Sequence, residues 1–339
     1  MFDFIPTEYF LLAFGLILLI KGGDWFVDAA SGIAKRLHLP ELLIGATVVS
    51  IGTTLPEVMT SAMGAMSGAG GIAYGNAIGS IICNTSLIAA ITIAIKPAKA
   101  DRKTLIFPVA FFFGAAVFYA LNAYIAKGFA LWAGILLLLG FLAYMIINVI
   151  NMKKNPEAEE PKEEKLDSPE LAEDKPSAAG LIKDILMLVA GAAVIAVGAY
   201  LLVENATAIA TQLGVPQSVI GLTVVAIGTS LPELVTAITS LIKGHGSLSL
   251  GNIIGANIFN LVLVSGTAIT INPFSIPMSA SLFGQNASFI LDLPVMFVVM
   301  GIMTIPAIIT GKLRRWQGFS LLAIYLAFMV MQFVFVKTV

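Results

Sequence analysis

Residues Gly45 to Thr60 read GATVVSIGTTLPEVMT, and residues Gly221 to Thr236 read GLTVVAIGTSLPELVT. Each stretch places glycine, hydroxyl side chains, a proline and one glutamate inside a segment that is otherwise apolar enough to lie in lipid. A carboxylate is costly to hold at membrane depth, and ionisable residues found there mark functional sites. Because this costly arrangement occurs twice, we expect Glu57 and Glu233 to carry the function.

The composition of the whole chain is that of a membrane protein. Of the 339 residues, 58% are hydrophobic and only 12% are charged, whereas a soluble domain has about 25% charged residues. A net charge of −1 offers no basic face for nucleic acid, and the single Cys83 excludes an internal disulfide. The sequence contains no nucleotide-binding loop, no nucleophile with a base and no HExxH motif. We therefore expect a protein that is not an enzyme and needs no cofactor.

Apolar runs of about 20 residues are long enough to cross a bilayer as helices. Ten such runs occur in two sets of five, at 8–34, 41–66, 71–95, 104–124 and 129–151, and then at 180–210, 217–242, 247–271, 288–310 and 316–336. The stretch between the sets is rich in proline, lysine and acid, and it cannot bury enough apolar surface to fold alone. The sequence thus predicts an all-α membrane protein with a five-helix repeat at 1–151, an acidic linker at 152–178 and a second five-helix repeat at 179–339.

Basic residues are distributed unevenly between the two sides of this arrangement. With the N-terminus outside, the cytoplasmic loops hold 16 Lys and Arg residues and the outer loops hold two. The bias of these residues toward the cytoplasm predicts a multi-pass protein of the cell membrane with both termini outside and the linker inside. Lys21, inside the first run, is expected either to pair with Asp24 one turn on or to extend its ammonium toward the membrane surface. His38 and His245 fall at predicted helix ends and are expected to be solvated.

A constant offset of 176 residues relates the two halves of the chain. Between 40 and 60, 13 of 21 positions are identical to their partners at 216–236. Each repeat has an odd number of helices, so the second must enter the membrane from the opposite side. Inverted repeats of this kind are the framework of transporters that open alternately to the two sides of the membrane.

The proline of the first motif predicts a break in helix 2, and its copy predicts a break in helix 7. Pro56 lacks a backbone donor and disfavours helical geometry at the preceding residue, and Gly52 weakens the turn before it. We therefore expect a kink or break near Thr53 and Thr54, which would free backbone carbonyls around Ser50. Unwound backbone at this depth is tolerated only where it lines a cavity or is buried in protein.

The oxygen atoms of these motifs predict a site for a hard cation, Ca²⁺ or Na⁺, because no His or Cys competes with them. A second motif follows each first one, GNAIGSIICN at 75–84 and GNIIGANIFN at 251–260, and Ala256 of the second copy replaces a serine of the first. The candidate ligands are the carboxylates of Glu57 and Glu233, the hydroxyls of Thr53, Thr54, Ser80, Thr229 and Ser230, the amides of Asn84 and Asn260, and carbonyls near Ser50 and Ala226.

The second motif also has a packing role. Gly75 and Gly79 are four residues apart, as are Gly251 and Gly255, and such pairs make grooves that let another helix approach closely. Asn76, beside the first of these grooves, could brace a neighbouring broken helix.

GTTLPE with GNAIGSIICN, and GTSLPE with GNIIGANIFN, resemble the two alpha-repeat signatures of the sodium/calcium exchanger family, within the cation/calcium exchanger superfamily. The resemblance covers essentially the whole chain and is closest to ten-helix members of the prokaryotic type. It implies Ca²⁺ or Na⁺ bound at the midplane by helices 2, 3, 7 and 8, with helices 1 and 6 sliding to alternate access. It also implies that Ser50 and Ala226 act through backbone carbonyls, and that three Na⁺ exchange for one Ca²⁺.

Two related functions stay open, an H⁺/Ca²⁺ exchanger and a K⁺-dependent Na⁺/Ca²⁺ exchanger. By resemblance, relatives that co-transport K⁺ have aspartate at the position of Asn260, and proton-coupled relatives carry acids at the position of Asn76 or Asn84. Asparagine at these positions therefore favours Na⁺ coupling. A cation channel or a membrane scaffold fits inverted repeats with broken helices less well. The expected partners are Na⁺, Ca²⁺ and the lipid bilayer, without nucleic acid, and a monomer is compatible with the sequence, which does not fix the oligomeric state.

Overall fold

The computed structural model describes residues 7–39, 41–154, 178–212, 228, 230–277 and 280–338. It is almost entirely helical, and each predicted run has its helix: α1 (Thr7–Arg36), α2 (Glu41–Met66), α3 (Gly70–Ile95), α4 (Arg102–Ala126), α5 (Leu131–Lys154), α6 (Ala178–Gln212), α7 (Leu231–Ile242), α8 (Gly246–Ile271), α9 (Ser288–Thr310) and α10 (Arg315–Phe335).

Within the described ranges, nine of these helices are long and apolar enough to cross a membrane, and α7 is shorter. The predicted all-α membrane protein is therefore confirmed. Most of the acidic linker, 155–177, and the first half of the predicted seventh run lie outside the described residues. The division of the chain into two repeats and a linker stays a prediction.

The loops of the two halves join each other at both ends of the bundle. At the end opposite the linker, the strands β1 (Gly128–Phe129) and β2 (Phe274–Ser275) pair antiparallel. Nearby, β3 (Ala280–Leu282) pairs with both β4 (Gln285–Asn286) and β5 (Lys337–Thr338). At the linker end, the amide of Leu313 donates to the carbonyl of Ala98 at 2.8 Å. The β1–β2 pair and the bond between Leu313 and Ala98 join the two halves, whereas β3, β4 and β5 all belong to the second half.

The helices α1 and α6 form a closely packed antiparallel pair. A Cβ atom built at Gly15 would lie 2.9 Å from the carbonyl oxygen of Gly198, so only glycine allows this approach. At the linker end of the pair, the guanidinium of Arg36 donates to the carboxylate of Asp184 at 2.7 Å. The antiparallel course is that expected of the first helices of inverted repeats, although the inverted relation of the complete repeats stays a prediction.

The helix α2 does not break where the sequence predicted. A wide π-type turn at Gly45–Val49 leads into regular α-helix at Ser50–Met66, which continues through Pro56. The predicted break near Thr53 and Thr54 is therefore wrong for α2, because proline removes only one backbone donor and neighbouring helices can satisfy the backbone groups that it frees. The irregular turn lies instead where α8 packs closely against α2, since a Cβ atom at Gly45 would lie 2.8 Å from the amide nitrogen of Asn252.

The helix α7 begins at Leu231 and has Pro232 in its first turn. Proline is tolerated there, because the first backbone donors of a helix have no partner inside it. The break predicted for helix 7 falls on the copies of Thr53 and Thr54, of which Thr229 lies outside the described residues and Ser230 is the turn residue directly before α7.

Two predicted side-chain environments are wrong. Asp24 pairs with Lys243, at 3.3 Å between Oδ1 and Nζ, and not with Lys21. His245 is not a solvated surface residue, because its side chain is only 20% exposed and contacts the carboxylate of Glu41. In both cases the partner comes from a distant part of the chain, which local spacing does not reveal. His38 is exposed, as predicted.

Candidate functional site

The four helices that carry the motifs, α2, α3, α7 and α8, pack against one another. At their centre lie Glu57 of α2 and Glu233 of α7, both with 0% exposure. The helices that carry them, α2 and α7, are in contact with each other. Two like charges without a partner are held in an apolar interior only at a high cost in free energy. The arrangement therefore calls for a positive charge between them.

Many buried polar atoms around these two carboxylates have no hydrogen-bond partner among the described residues. An unpaired buried polar group costs about 1–3 kcal/mol, and an unpaired charge costs more. Such groups are rare in native interiors, so a cluster of them points to a ligand that completes their contacts. The atoms concerned are both carboxylate oxygens of Glu57 and of Glu233, the hydroxyl oxygens of Thr54 and Ser230, and the side-chain amide oxygens and nitrogens of Asn84 and Asn260.

The donor set at this centre fits a hard cation. The unpaired oxygens are carboxylate, hydroxyl and amide oxygens, which are the ligands that Ca²⁺ and similar cations prefer. The described residues contain no group of three or more His, Cys, Asp or Glu side chains that could hold a metal ion. A cation at this centre would therefore depend on two carboxylates and several neutral oxygens.

Asn84 and Asn260 occupy equivalent positions in the two halves, and each begins a wide π-type turn. The turn at Asn84 covers Asn84–Ala89 of α3, and the turn at Asn260 covers Asn260–Val264 of α8. Both asparagines have 0% exposure. Wide turns inside α-helices are frequent at functional sites, because they redirect side chains and loosen backbone carbonyls. The second motif thus places its amide where the helix geometry is locally irregular.

The contact between α2 and α8 is held by Asn252. The hydroxyl of Ser50 lies 3.0 Å from the main-chain oxygen and 3.3 Å from the amide oxygen of Asn252, and Thr53 donates to the same amide oxygen at 3.3 Å. Glycine makes this contact possible, because a Cβ atom at Gly255 would lie 2.6 Å from the Cα atom of Ala46. Asn252 therefore orients two candidate ligands from the opposite half of the chain.

The contact between α2 and α3 is held by Asn76. Its side-chain amide donates to the main-chain oxygen of Glu57 at 3.0 Å and to the hydroxyl of Ser61 at 2.8 Å. Asn76 does brace α2, although the helix that it braces is continuous. The packing role predicted for Gly75 and Gly79 is not seen, because no described atom beyond the neighbouring backbone of α3 lies within 4 Å of a Cβ atom built at either position. The matching pair Gly251 and Gly255 does make the predicted close approach, to α2.

All the predicted site residues that the structure describes are buried, with no more than 4% exposure: Ser50, Thr53, Thr54, Glu57, Ser80, Asn84, Ser230, Glu233 and Asn260. The two others, Ala226 and Thr229, lie outside the described residues. Sequence reasoning did not assign a role to Asn252 or Ser61. Asn252 could have been found as the repeat partner of Asn76, at the offset of 176 residues. Ser61 has no such signal, because Ala237 is its repeat partner.

Comparisons with known proteins agree on one family. The sequence profile described as "Sodium/calcium exchanger protein" matches residues 7–150 and 183–334. The sodium/calcium exchanger MaX1 of Methanosarcina acetivorans is 34% identical over 97% of this chain and 99% of its own. The inner membrane protein YrbG of Escherichia coli is 35% identical over 86% of this chain and 87% of its own.

A solved structure of the sodium-calcium exchanger NCX_Mj, soaked with 2.5 mM Na⁺ and 10 mM Sr²⁺, aligns with a TM-score of 0.78 at 31% identity. The alignment covers 96% of this chain and 99% of that one. Sequence and fold thus match over nearly the whole length of both proteins. The chain therefore belongs to the sodium/calcium exchanger protein family, whose members are membrane transporters and not enzymes.

Proposed function

We propose that this protein exchanges Na⁺ for Ca²⁺ across the cell membrane, as an antiporter whose central site opens alternately to the two sides. The observation that carries the proposal is the pair of fully buried carboxylates, Glu57 and Glu233, whose oxygens have no partner among the described residues. The names of the relatives, MaX1 and NCX_Mj, support Na⁺ and Ca²⁺ as the transported ions.

The proposed ligands are the oxygens that surround the two carboxylates, together with their repeat partners. Neutral oxygens of α2, α3, α7 and α8 would replace the hydration shell of the ion, as hard cations require. The proposed set comprises Glu57, Glu233, the hydroxyls of Thr53, Thr54, Ser80, Thr229 and Ser230, the amides of Asn84 and Asn260, and the backbone carbonyls of Ser50 and Ala226.

The charge of this site supports electrogenic exchange. Two carboxylates carry two negative charges, so one Ca²⁺ neutralises them and three Na⁺ exceed them by one. Each cycle would then move one net charge, worth about 2.3 kcal/mol per 100 mV of membrane potential. An uncompensated pair of carboxylates buried in lipid is penalised by several kcal/mol, so closing over an unfilled site is disfavoured. This penalty would couple the two ion movements and prevent a leak.

The proposed topology places both termini outside and the acidic linker in the cytoplasm, with two inverted five-helix repeats at 1–151 and 179–339. The antiparallel packing of α1 against α6 supports the inversion, because these are the first helices of the two repeats. The excess of Lys and Arg at the linker end supports the orientation. Alkylation of cysteines introduced into the linker from outside intact cells would contradict it.

The test of the proposed function is uptake of radioactive Ca²⁺ into Na⁺-loaded liposomes that contain the purified protein. Uptake should require the outward Na⁺ gradient and should fall by at least about tenfold in Glu57→Gln and in Glu233→Gln, because each removes one charge from the site. Glu8→Gln is the matched control, since Glu8 lies at the outer end of α1 and accepts a hydrogen bond from Gln212. Uptake that persists in both site variants would overturn the two-glutamate site.

The same liposomes distinguish the coupling ion and the net charge moved. When three Na⁺ leave and one Ca²⁺ enters, one positive charge leaves, so a potential that is positive inside should accelerate Ca²⁺ uptake. A rate of Ca²⁺ uptake that does not change with the membrane potential would contradict electrogenic exchange. A pH gradient that drives uptake without Na⁺ would show H⁺ coupling, and a requirement for added K⁺ would show the K⁺-dependent mode.

A further inference from the structure

A cavity of about 210 Å³ lies between α3 and α10, in the half of the bundle opposite the linker. Its lining runs from Tyr74 to Cys83 along α3 and from Tyr325 to Phe333 along α10. Nine residues of helix correspond to about 13 Å, which is nearly half of an apolar bilayer core of about 30 Å. This length suits a chain-like molecule better than a single ion.

The cavity exists because α10 packs closely against only one half of α3. Toward the linker end, a Cβ atom built at Gly318 of α10 would lie 2.7 Å from the carbonyl oxygen of Ala90. Toward the other end, no described atom beyond the neighbouring backbone of α3 lies within 4 Å of a Cβ atom built at Gly75 or Gly79. A groove of small residues usually receives a neighbouring helix. Here the described residues leave it unfilled.

Polar groups line this cavity at the end where α3 and α9 begin and α10 ends. Asp292 of α9 accepts a hydrogen bond from the side-chain amide of Gln332 at 2.7 Å, and none of the ion pairs between described residues includes its carboxylate. Tyr74 is only 3% exposed, and its hydroxyl has no hydrogen-bond partner among the described residues. All three residues line the cavity. A carboxylate within an apolar span calls for a positive partner.

Deeper in the membrane the lining of the cavity is mainly apolar, with side chains that include Ile78, Ile82, Phe328 and Met329. An apolar cavity with a few polar groups at one end is typical of a site for a small molecule, and apolar walls do not favour filling by water. The polar end lies toward the membrane surface and the apolar part toward the midplane, which is also how a lipid of that leaflet is oriented. The outer side of α10 exposes large apolar residues to the bilayer, from which a lipid can enter: Phe319, Leu326 and Val330.

We propose that this cavity binds a phospholipid with a primary ammonium headgroup, phosphatidylethanolamine, whose ammonium contacts the carboxylate of Asp292 and whose acyl chain lies along Gly75 and Gly79. A primary ammonium has three N–H donors and forms charge-assisted hydrogen bonds to a carboxylate. A choline headgroup has no N–H donor, and phosphatidylglycerol has no positive charge. The bound chain fills the gap between α3 and α10 and reaches Ser80. This lipid site goes beyond the proposed ion exchange and does not depend on it.

The first experiment is native mass spectrometry of the full-length protein, equilibrated with an equimolar mixture of phosphatidylethanolamine, phosphatidylcholine and phosphatidylglycerol that carry the same acyl chains. The parent should retain phosphatidylethanolamine about fivefold more than either other lipid, and Asp292→Asn should retain all three equally, because the charge-assisted bond is lost. Asp101→Asn is the matched control, since Asp101 is exposed at the linker end and caps α4, a role that asparagine also fills. Equal retention in the parent, or an unchanged preference in Asp292→Asn, would overturn the site.

A second variant tests the acyl chain separately from the headgroup. Gly79→Leu places a side chain in the open groove, so it should reduce the retained phosphatidylethanolamine about fivefold while Asp292 stays intact. Gly114→Leu on α4 is its control, because the Cβ position of Gly114 is also open. Full retention in Gly79→Leu would show that no chain lies along α3 and would overturn the proposal.

Thermal unfolding in detergent gives a readout that needs neither mass spectrometry nor ion flux. Added phosphatidylethanolamine should raise the unfolding midpoint of the parent and of Asp101→Asn, but not that of Asp292→Asn, because a ligand stabilises the state that binds it. If the soluble amine hexylammonium raises the midpoint and phosphatidylethanolamine does not, the lipid is the wrong source of the ammonium group and the proposal fails. Lipid preference in a parent that lacks Na⁺-driven Ca²⁺ uptake would reject the antiporter and support the lipid site.

Discussion

The side-chain amide of Asn76 donates to the main-chain oxygen of Glu57 at 3.0 Å, and so fixes the backbone beside one of the two central carboxylates. Its repeat partner Asn252 makes a different contact, because it accepts from Ser50 and Thr53 of the opposite half. Asn76 and Asn252 occupy the same position of the repeated motif, but each braces the site through different contacts. The halves share a sequence pattern without sharing every contact.

We expect Asn76→Ala to lower the rate of Ca²⁺ uptake about fivefold at low Ca²⁺, because one buried hydrogen bond of about 1 kcal/mol that orients Glu57 is lost. Initial uptake rates over a range of Ca²⁺ concentrations would show the change as weaker apparent affinity. Asn148→Ala is the control, since Asn148 is also buried and donates to the main-chain oxygen of Tyr144 within α5. An equal loss of affinity in both variants would assign the effect to folding and contradict the bracing role.

Gly255→Ala should destabilise the folded protein by about 1–3 kcal/mol, because its Cβ atom would lie 2.6 Å from the Cα atom of Ala46 and force α8 away from α2. Thermal unfolding of the purified protein in detergent would show a lower midpoint. Gly114→Ala on α4 is the matched control, because no described atom beyond the neighbouring backbone of α4 lies within 4 Å of its Cβ position. A midpoint for Gly255→Ala that equals that of Gly114→Ala would show that α2 and α8 tolerate greater separation.

Helix positions could be predicted from the sequence within a few residues, because the bilayer imposes a length and an apolarity that each span must satisfy alone. The span predicted at 288–310 is the helix Ser288–Thr310. The course of α2 could not be predicted in the same way. Pro56 removes one backbone donor from the helix. Whether the helix breaks there depends on how α2 packs against α8, whose residues lie about two hundred positions later in the chain.

The centre of the site was also predictable in outline, because an acid in an apolar span must meet a compensating group. Glu57 and Glu233 are fully buried, and so are the described hydroxyl and amide residues of their motifs, whereas their role as ligands of a cation stays a prediction. The contact between Glu41 and His245 was not predicted. Both residues lie at helix ends, and the sequence around a helix end does not indicate which other helix end lies next to it. Pairings between helix ends follow from the three-dimensional arrangement and not from local sequence.

Binding of Ca²⁺ should stabilise the protein through the two central carboxylates. A ligand that binds only the folded state adds about 2.7 kcal/mol of stability at a hundred times its dissociation constant. We therefore expect removal of Ca²⁺ and Na⁺ by chelator and exchange into choline to lower the midpoint of thermal unfolding. In Glu57→Gln the midpoint should no longer respond to Ca²⁺, because half of the negative charge is gone. A full Ca²⁺ response in this variant would place the binding site elsewhere.

The asymmetry between Ser80 and Ala256 gives the last prediction. These residues are repeat partners, both lie buried on the helices of the site, and only Ser80 carries a hydroxyl. Ala256→Ser adds an oxygen that can coordinate Na⁺, while its hydrogen is donated to the carbonyl four residues earlier. Half-maximal Ca²⁺ uptake should then need about threefold less Na⁺, the change expected for one added neutral ligand of under 1 kcal/mol.

Ser80→Ala, made in the parent, is the reciprocal variant, and it should require more Na⁺ for the same uptake. Thermal unfolding in Na⁺ and in choline separates coordination from packing, because an added ligand raises the midpoint only when Na⁺ is present. If Ala256→Ser lowers the midpoint equally in both salts and leaves the Na⁺ requirement unchanged, the added hydroxyl only crowds the interior. The two halves of the site would then differ in sequence without differing in their affinity for Na⁺.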